Sequence, residues 1–420
     1  MNSSVTYTST DQTGQASLVI NAPTTDERVP AHFILLLDTS DSMNDDNKLE
    51  HVKLCSSLLL KLLTPADKIS LVTFGKYSRV ILTAVPTDAL NLASIEGAIA
   101  ALQTDGCTNL SAGIASVSEV LAIADGLKPT LLLLTDGHAN RGVMGAADLQ
   151  IMMSGLSTQC PGLGVSVIAY GTDHNAALLK GFATTAHGSY SIVSGLEDAA
   201  IALGDALGGA LSCVAQNVEI VCPAGSTIAG PYTCANGVVK VGDLYAGSST
   251  MFLMDLVTGA VTVRGVLVPS MQAFSVEAAA AVSTERNANV ELTRLRYRCS
   301  DLFRQVRLEQ ATAEEIAAFR ALLADPFLAG NPMTDMLLAE ATSLEEAFRG
   351  RQAGGAGLVS RILQHEAFTS LGRGTTQAIT SAPVRQTSED PSSTMSPMSS
   401  RTQRRMASLM RTMSQEPGNT

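Results

Sequence analysis

Phe33-Ile34-Leu35-Leu36-Leu37 is an unbroken apolar run that ends on a carboxylate, Asp38. A run without polar alternation suits a strand covered on both faces, which requires helices above and below a sheet. The pattern recurs down the chain. Residues 69–74, 80–82, 131–134, 165–170 and 190–193 read as further strands, and 48–63, 92–102, 110–124 and 197–207 as helices. In the first helix Leu49, Val52, Leu59 and Leu63 keep helical spacing until Thr64-Pro65 stops it. Strands alternating with helices over 33–210 predict an α/β unit: an open, doubly wound, mostly parallel and Rossmann-like sheet.

The flanks follow other rules. From Ser212 to about Val282, helical periodicity gives way to short alternating runs at 218–221, 238–241, 249–255 and 260–268, punctuated by Gly and Pro. That is the signature of a small antiparallel sandwich. Residues 16–20 are also strand-like and could add to it from the N-terminal side. Three apolar stripes then return: Leu292, Leu295, Leu302 and Val306; Ile316, Phe319 and Leu323; Leu337, Ala341, Leu344 and Phe348. The expected division is an N-terminal strand segment at 1–30, the α/β domain at 31–210, a β-sandwich-like domain at 211–284, a helical domain at 285–350 and a tail at 351–420. The tail is rich in Ser, Thr, Pro and Met, too poor in apolar area to offset ordering entropy, so it is expected to be largely disordered.

Composition narrows the function. A net charge of −11 argues against a nucleic-acid partner, which needs a basic footprint. No apolar run approaches ~18 residues, so no transmembrane helix is expected. The start Met1-Asn2-Ser3-Ser4-Val5 has neither a basic region nor an apolar core, so no secretory signal is expected. The seven cysteines are odd in number, with no C-x-x-C pair. Free, mostly buried thiols are the expectation, although Cys222 and Cys234 could form a staple. These features point to a soluble, cytoplasmic protein.

The chemistry gathers at the carboxyl ends of the apolar strands. The first runs into Asp38-Thr39-Ser40-Asp41-Ser42-Met43; a second segment is Asp105-Gly106-Cys107-Thr108-Asn109-Leu110; a third is Leu134-Thr135-Asp136-Gly137. In an open α/β sheet, ligands bind beyond the carboxyl ends of strands where the winding reverses. Asp38, Ser40 and Ser42 alternate and can point one way. With Thr108 and Asp136 they offer two carboxylates and three hydroxyls. Hard oxygen donors without His or Cys suit Mg²⁺, Ca²⁺ or Mn²⁺, not zinc.

Asp38-x-Ser40-x-Ser42, Thr108 in a T-N-L context and Asp136 in T-D-G resemble the metal-ion-dependent adhesion site (MIDAS) of von Willebrand factor type A (VWA) domains. The resemblance covers 33–210. It implies a six-stranded sheet with one antiparallel edge strand. It also implies direct ligation of Mg²⁺, or alternatively Ca²⁺ or Mn²⁺, by the Ser40 and Ser42 hydroxyls. Asp38 and Asp136 would act directly or through water, Thr108 would join in the ligand-bound state, and an acidic side chain of a partner protein would complete the site. Asp41 and Cys107 stand where the family commonly has Gly. The flanks are loosely similar to intracellular proteins that hold this domain in a sandwich scaffold, including plant RING ligases and proteins carrying a Hint module, through Val214-Ala215-Gln216-Asn217-Val218 and Val241-Gly242-Asp243-Leu244-Tyr245. Neither a RING nor a Hint module is expected here.

Enzyme readings find little support. An aspartyl phosphotransferase wants a second carboxylate two residues after the nucleophile, and Ser40 holds that place. No P-loop, H-E-x-x-H or G-x-S-x-G motif occurs. The expected function is divalent-cation-dependent protein binding, without catalysis. The alternative is an intracellular scaffold or non-catalytic subunit of an enzyme complex, of ubiquitin-ligase or chelatase type, whose β and helical domains bind the partner. Met406, Leu409, Met410 and Met413 fall at i, i+3, i+4 and i+7 beside Arg401, Arg404, Arg405 and Arg411. That segment, 401–413, reads as a floppy tail or a basic amphipathic helix, and membrane contact is expected only through it.

Overall fold

A computed structural model describes residues 1–7, 14–24, 28–123, 126–171, 174–185, 188–230, 232–268, 270, 272–353, 362 and 401–415. Two strands open the chain, β1 (Asn2–Tyr7) and β2 (Gly14–Asn21). The α/β unit then contains β3 (Ala31–Asp38), β4 (Lys68–Phe74), β5 (Ser78–Pro86), β6 (Lys128–Thr135), β7 (Gly164–Tyr170) and β8 (Tyr190–Val193). Their order in the sheet is β5-β4-β3-β6-β7-β8. All neighbours run parallel except β4 and the edge strand β5. The winding therefore reverses between β3 and β6, and a crevice opens at their carboxyl ends.

Side-chain alternation along β3 explains why its whole length is buried. Phe33, Leu35 and Leu37 enter one core with α1 (Lys48–Leu60), α2 (Leu92–Ala100) and α6 (Leu196–Ser212). Ile34 and Leu36 enter the opposite core with α3 (Leu110–Leu121), α4 (Ala146–Gln159) and α5 (Ala176–Thr185). A short 3-10 segment, Asp41–Asn47, joins the end of β3 to α1, which begins at Lys48 as its spacing predicts and ends at Leu60, short of the expected stop at 63.

After α6 the chain builds a sandwich. Its strands are β9 (Cys213–Val221), β10 (Thr227–Ile228), β11 (Cys234–Ala235), β12 (Val238–Tyr245), β13 (Ser249–Leu256), β14 (Thr262–Leu267), β15 (Ala273–Glu277) and β16 (Ala279–Val282). One sheet is ordered β10-β13-β2-β1-β16 and the other β11-β12-β9-β14-β15. The N-terminal β2 is thus an interior strand, paired antiparallel to both β1 and β13. Leu18 and Ile20 face Val218, Ile220, Val239, Phe252 and Val263 in one core. A buried ion pair ties the two units together: Lys128 Nζ on β6 lies 2.6 Å from Asp243 Oδ2 on β12. Cys222 Sγ and Cys234 Sγ are 3.5 Å apart as free thiols.

Three helices follow, α7 (Ala288–Arg307), α8 (Ala313–Leu323) and α9 (Pro332–Ala353). The stripes expected from their spacing share one core, in which Phe303, Phe319 and Leu337 are fully buried. Thr312 and Glu315 form a reciprocal capping box at the start of α8. The disorder expected for the tail falls mostly outside the described residues. Where the chain is described again it is a helix, α10 (Arg401–Gln415). Its stripe is covered only in part: Met410 is fully buried in the core that holds α1 and α6, with Met406 and Met413 packed against it, whereas Leu409 is exposed and Ala407, outside the expected stripe, is fully buried. No described helix is long and apolar enough to cross a membrane.

Candidate metal centre

The β3–β6 crevice gathers the residues singled out from the sequence. Asp38 is the last residue of β3 and fully buried. Its Oδ1 accepts from the Ser40 backbone N–H at 2.8 Å, and its Oδ2 from the Thr135 hydroxyl at 2.6 Å. The first contact is a local turn that bends the chain immediately after the strand. Ser40 Oγ and Ser42 Oγ lie 3.1 Å apart, and Ser42 donates to Asp136 Oδ1 at 2.8 Å. Four of the five expected donors therefore touch in a chain.

Thr108 arrives on a separate loop and is also buried. Its N–H donates to Asn140 Oδ1 at 2.8 Å, while the Asn140 and Arg141 N–H groups donate back to its carbonyl. A β-carbon placed on Gly137 would stand 3.9 Å from Thr108 Oγ1 and 4.0 Å from Ser42 Oγ, so both hydroxyls flank that glycine. The loop is held close by another. A β-carbon on Gly75 would come within 2.6 Å of the Asp105 carbonyl oxygen, a distance that only glycine avoids.

Two buried carboxylates and one lysine set the charge of the crevice. Burial pushes the Asp38 carboxyl up to about 6, against the pull of hydrogen bonds from Thr135 and Ser40, with the nearby Asp136 charge adding to the rise. Lys48, at the start of α1, places Nζ 2.6 Å from Asp136 Oδ2 and 3.4 Å from the Ser42 carbonyl. Among the described residues no three His, Cys, Asp or Glu side chains cluster as a metal group. The donors assembled here are two carboxylates and three hydroxyls, which fit a hard divalent cation and not a thiolate or imidazole metal.

Asp41 has a local task. Its Oδ1 accepts from the Gly106 N–H at 3.0 Å and its own N–H donates to the Gly106 carbonyl, pinning two loops together at an exposed position. Cys107 is exposed. The sequence reading did not single out Lys48, Asn140, Gly75 or the hydroxyl of Thr135. Thr135 was visible beside Asp136, but the other three act across loops and leave no local pattern.

Comparison with known proteins agrees with this architecture. Residues 33–138 match the family model described as "von Willebrand factor type A domain". Uncharacterized protein YfbK of Escherichia coli (strain K12) is 30% identical over 201 residues, 46% of this chain and 34% of that protein. The chain thus spans about a third of the length of this curated relative. Among solved structures, a von Willebrand factor type A protein from Catenulispora acidiphila has a TM-score of 0.59 at 15% identity, over 88% of this chain and 96% of its own. The ArnB paralog VWA2 from Sulfolobus acidocaldarius has a TM-score of 0.53 at 16% identity, over 88% and 98%. At such identities these two are alike in fold, and the likeness extends well beyond the six-stranded sheet. The strand order, the crevice at its winding reversal and the match over residues 33–138 lead to one conclusion: the α/β unit has the fold of a von Willebrand factor type A domain.

Proposed function

We propose that the chain is a divalent-cation-dependent protein-binding module whose metal is held by Asp38, Ser40, Ser42, Thr108 and Asp136. The observation that carries this reading is the contact chain Ser40–Ser42–Asp136, closed by buried Asp38 and flanked by Thr108. When bound, Mg²⁺ (or Ca²⁺ or Mn²⁺) supplies a positive charge that an acidic side chain of a partner protein can join. The chain's own residues do the rest. Thr135 and the Ser40 N–H fix the Asp38 carboxylate, Asn140 fixes the Thr108 backbone, and Asp41 keeps the 105–108 loop against the 40–42 turn.

Isothermal titration of the full chain with MgCl₂, CaCl₂ and MnCl₂ tests the site. Micromolar to millimolar binding is expected, absent in Asp38→Ala and Asp136→Ala variants that keep their circular dichroism spectrum. Metal heats unchanged in both variants would refute it. A second reading, a scaffold or non-catalytic subunit that binds through its sandwich and helices, draws on the two well-packed cores outside the VWA domain. Partner capture that survives both chelation and Asp38→Ala favours that reading.

A further inference from the structure

Helix α6 is buried on every side. Each residue from Ala199 to Ser212 is hidden, although a helix flanking a sheet normally leaves one face to solvent. The outer cover is α10. Ala407 packs on Ile201, and a β-carbon on Gly204 would lie 2.7 Å from Ala407 Cα and from the Met406 carbonyl oxygen. The two backbones therefore touch, and only glycine at 204 allows it. Seven residues towards the start of α6, Glu197 Oε1 meets Arg411 Nε at 2.5 Å, so the helices run antiparallel. Met406 and Met413 pack along the same seam, while Arg405, Leu409 and Thr412 point outward.

We propose that the outer face of α6 is a helix-binding groove, held in cis by α10 and able to take a basic, methionine-rich amphipathic helix from another protein. This inference does not depend on the metal site. Three observations favour exchange over permanent closure. A 15-residue helix is marginal by itself, so α10 folds as it docks, and the ordering cost weakens its hold. Among the described side chains of α10, from 405 to 415, full burial is confined to Ala407, Met410 and, less completely, Ser414. Residues 354–400 join α9 to α10 in the sequence, with Ile362 packed in the core of α7 to α9, so α10 is held from within its own chain. Such an intramolecular hold raises the effective concentration of α10 at the groove, which keeps the groove occupied and yet open to a tighter competitor. Occupant chemistry is set by the groove: a small residue opposite Gly204, flexible thioethers beside it, and a guanidinium four residues on for Glu197.

The test uses the full chain and a fluorescein-labelled peptide of residues 399–417. Ala407→Asp places a charge against Gly204 and releases α10. The peptide is then expected to bind this variant at least about 100-fold more tightly than the wild type, whose tethered helix competes. An Arg411→Glu peptide is expected to lose that binding, and Glu197→Arg in the Ala407→Asp chain to restore it. Equal binding to wild type and variant, binding to neither, or no rescue by charge reversal would overturn the proposal. So would uptake of the released tail by phosphatidylserine vesicles with no peptide bound at α6, or a wild-type dimer at micromolar concentration with α10 exchanged between copies. Should the Ala407→Asp chain aggregate, hydrogen exchange decides. Arg411→Glu is expected to speed exchange at 401–415 by tenfold or more, with protection regained on adding Glu197→Arg; unchanged exchange overturns the groove.

Discussion

Lys48 Nζ stands 2.6 Å from Asp136 Oδ2, so a lysine and the candidate metal ligand already form an ion pair within the crevice. The lysine's charge opposes a cation nearby, and its ammonium occupies an oxygen that a cation would also attract. Removing it is expected to help binding. At an effective dielectric constant near 20, two unit charges about 4 Å apart oppose each other by ~4 kcal/mol, and solvent screening of a partly buried lysine reduces this to an expected effect of about tenfold. Lys48→Met should therefore lower the Mg²⁺ Kd about tenfold by titration calorimetry. A weakened affinity instead means that Lys48 acts by orienting Asp136.

Asp38 carries a stability cost linked to its burial. A carboxyl held at about 6 in the folded chain, against 3.8 ordinarily, retains its proton better when folded. That contribution is fully present below pH 4 and is lost as pH rises through 6, leaving an ionised buried group worth up to roughly 3 kcal/mol against folding. In EDTA, Asp38→Asn is expected to be more stable than wild type at pH 8, with the gap closing towards pH 4. Thr135 can rotate to accept from the new amide. Urea denaturation at several pH values measures this, and a gap independent of pH defeats the prediction. Added Mg²⁺ should stabilise only the wild type.

Gly75 tests loop placement without altering a donor. Alanine there meets the Asp105 carbonyl at 2.6 Å and the Thr39 carbonyl at 3.1 Å, so one loop must move. A loss of about 1–3 kcal/mol in stability is expected from such overpacking. Partner binding in Mg²⁺ should fall more than metal affinity, because Thr108 is displaced while the Ser40–Ser42–Asp136 contacts remain. Equal losses in both would contradict this.

The Lys128–Asp243 pair joins the VWA sheet to the sandwich. Burial pulls the lysine's pKa down, yet the adjacent Asp243 charge more than offsets this and holds it above the ordinary value. Lys128→Met removes the charge that balances a buried carboxylate and is expected to cost about 3–5 kcal/mol. The double variant with Asp243→Leu should recover most of that loss in thermal or urea unfolding. A double variant as unstable as the single one would show that the pair contributes through more than charge balance.

The sequence made the central sheet legible because β3, β6 and β7 are covered on both faces and leave little polar alternation. The five candidate donors could be named because each sits near a strand end or helix start, where residue order fixes its place. Other parts spoke less clearly. β1 reads Asn2-Ser3-Ser4-Val5-Thr6-Tyr7 and is a strand only because β2 and β16 flank it. Helix α4 buries Leu149, Met153 and Leu156 at helical spacing, a signal that was present but diluted by polar neighbours. The fate of 401–415 was out of local reach, since its stripe is matched by a glycine some two hundred residues earlier. Lys48 and Asn140 likewise gain meaning only when separate loops meet.

The position of β2 bears on how the chain is made. Its partner β13 begins at Ser249, with the whole VWA domain encoded in between. At ribosomal speeds of roughly 5–20 residues per second, the N-terminal hairpin waits on the order of 10–50 s for that partner, with Leu18 and Ile20 unsheltered and a lone hairpin only marginally stable. A nascent chain halted near residue 215 would thus hold a finished middle and a sticky beginning, a natural client for chaperones.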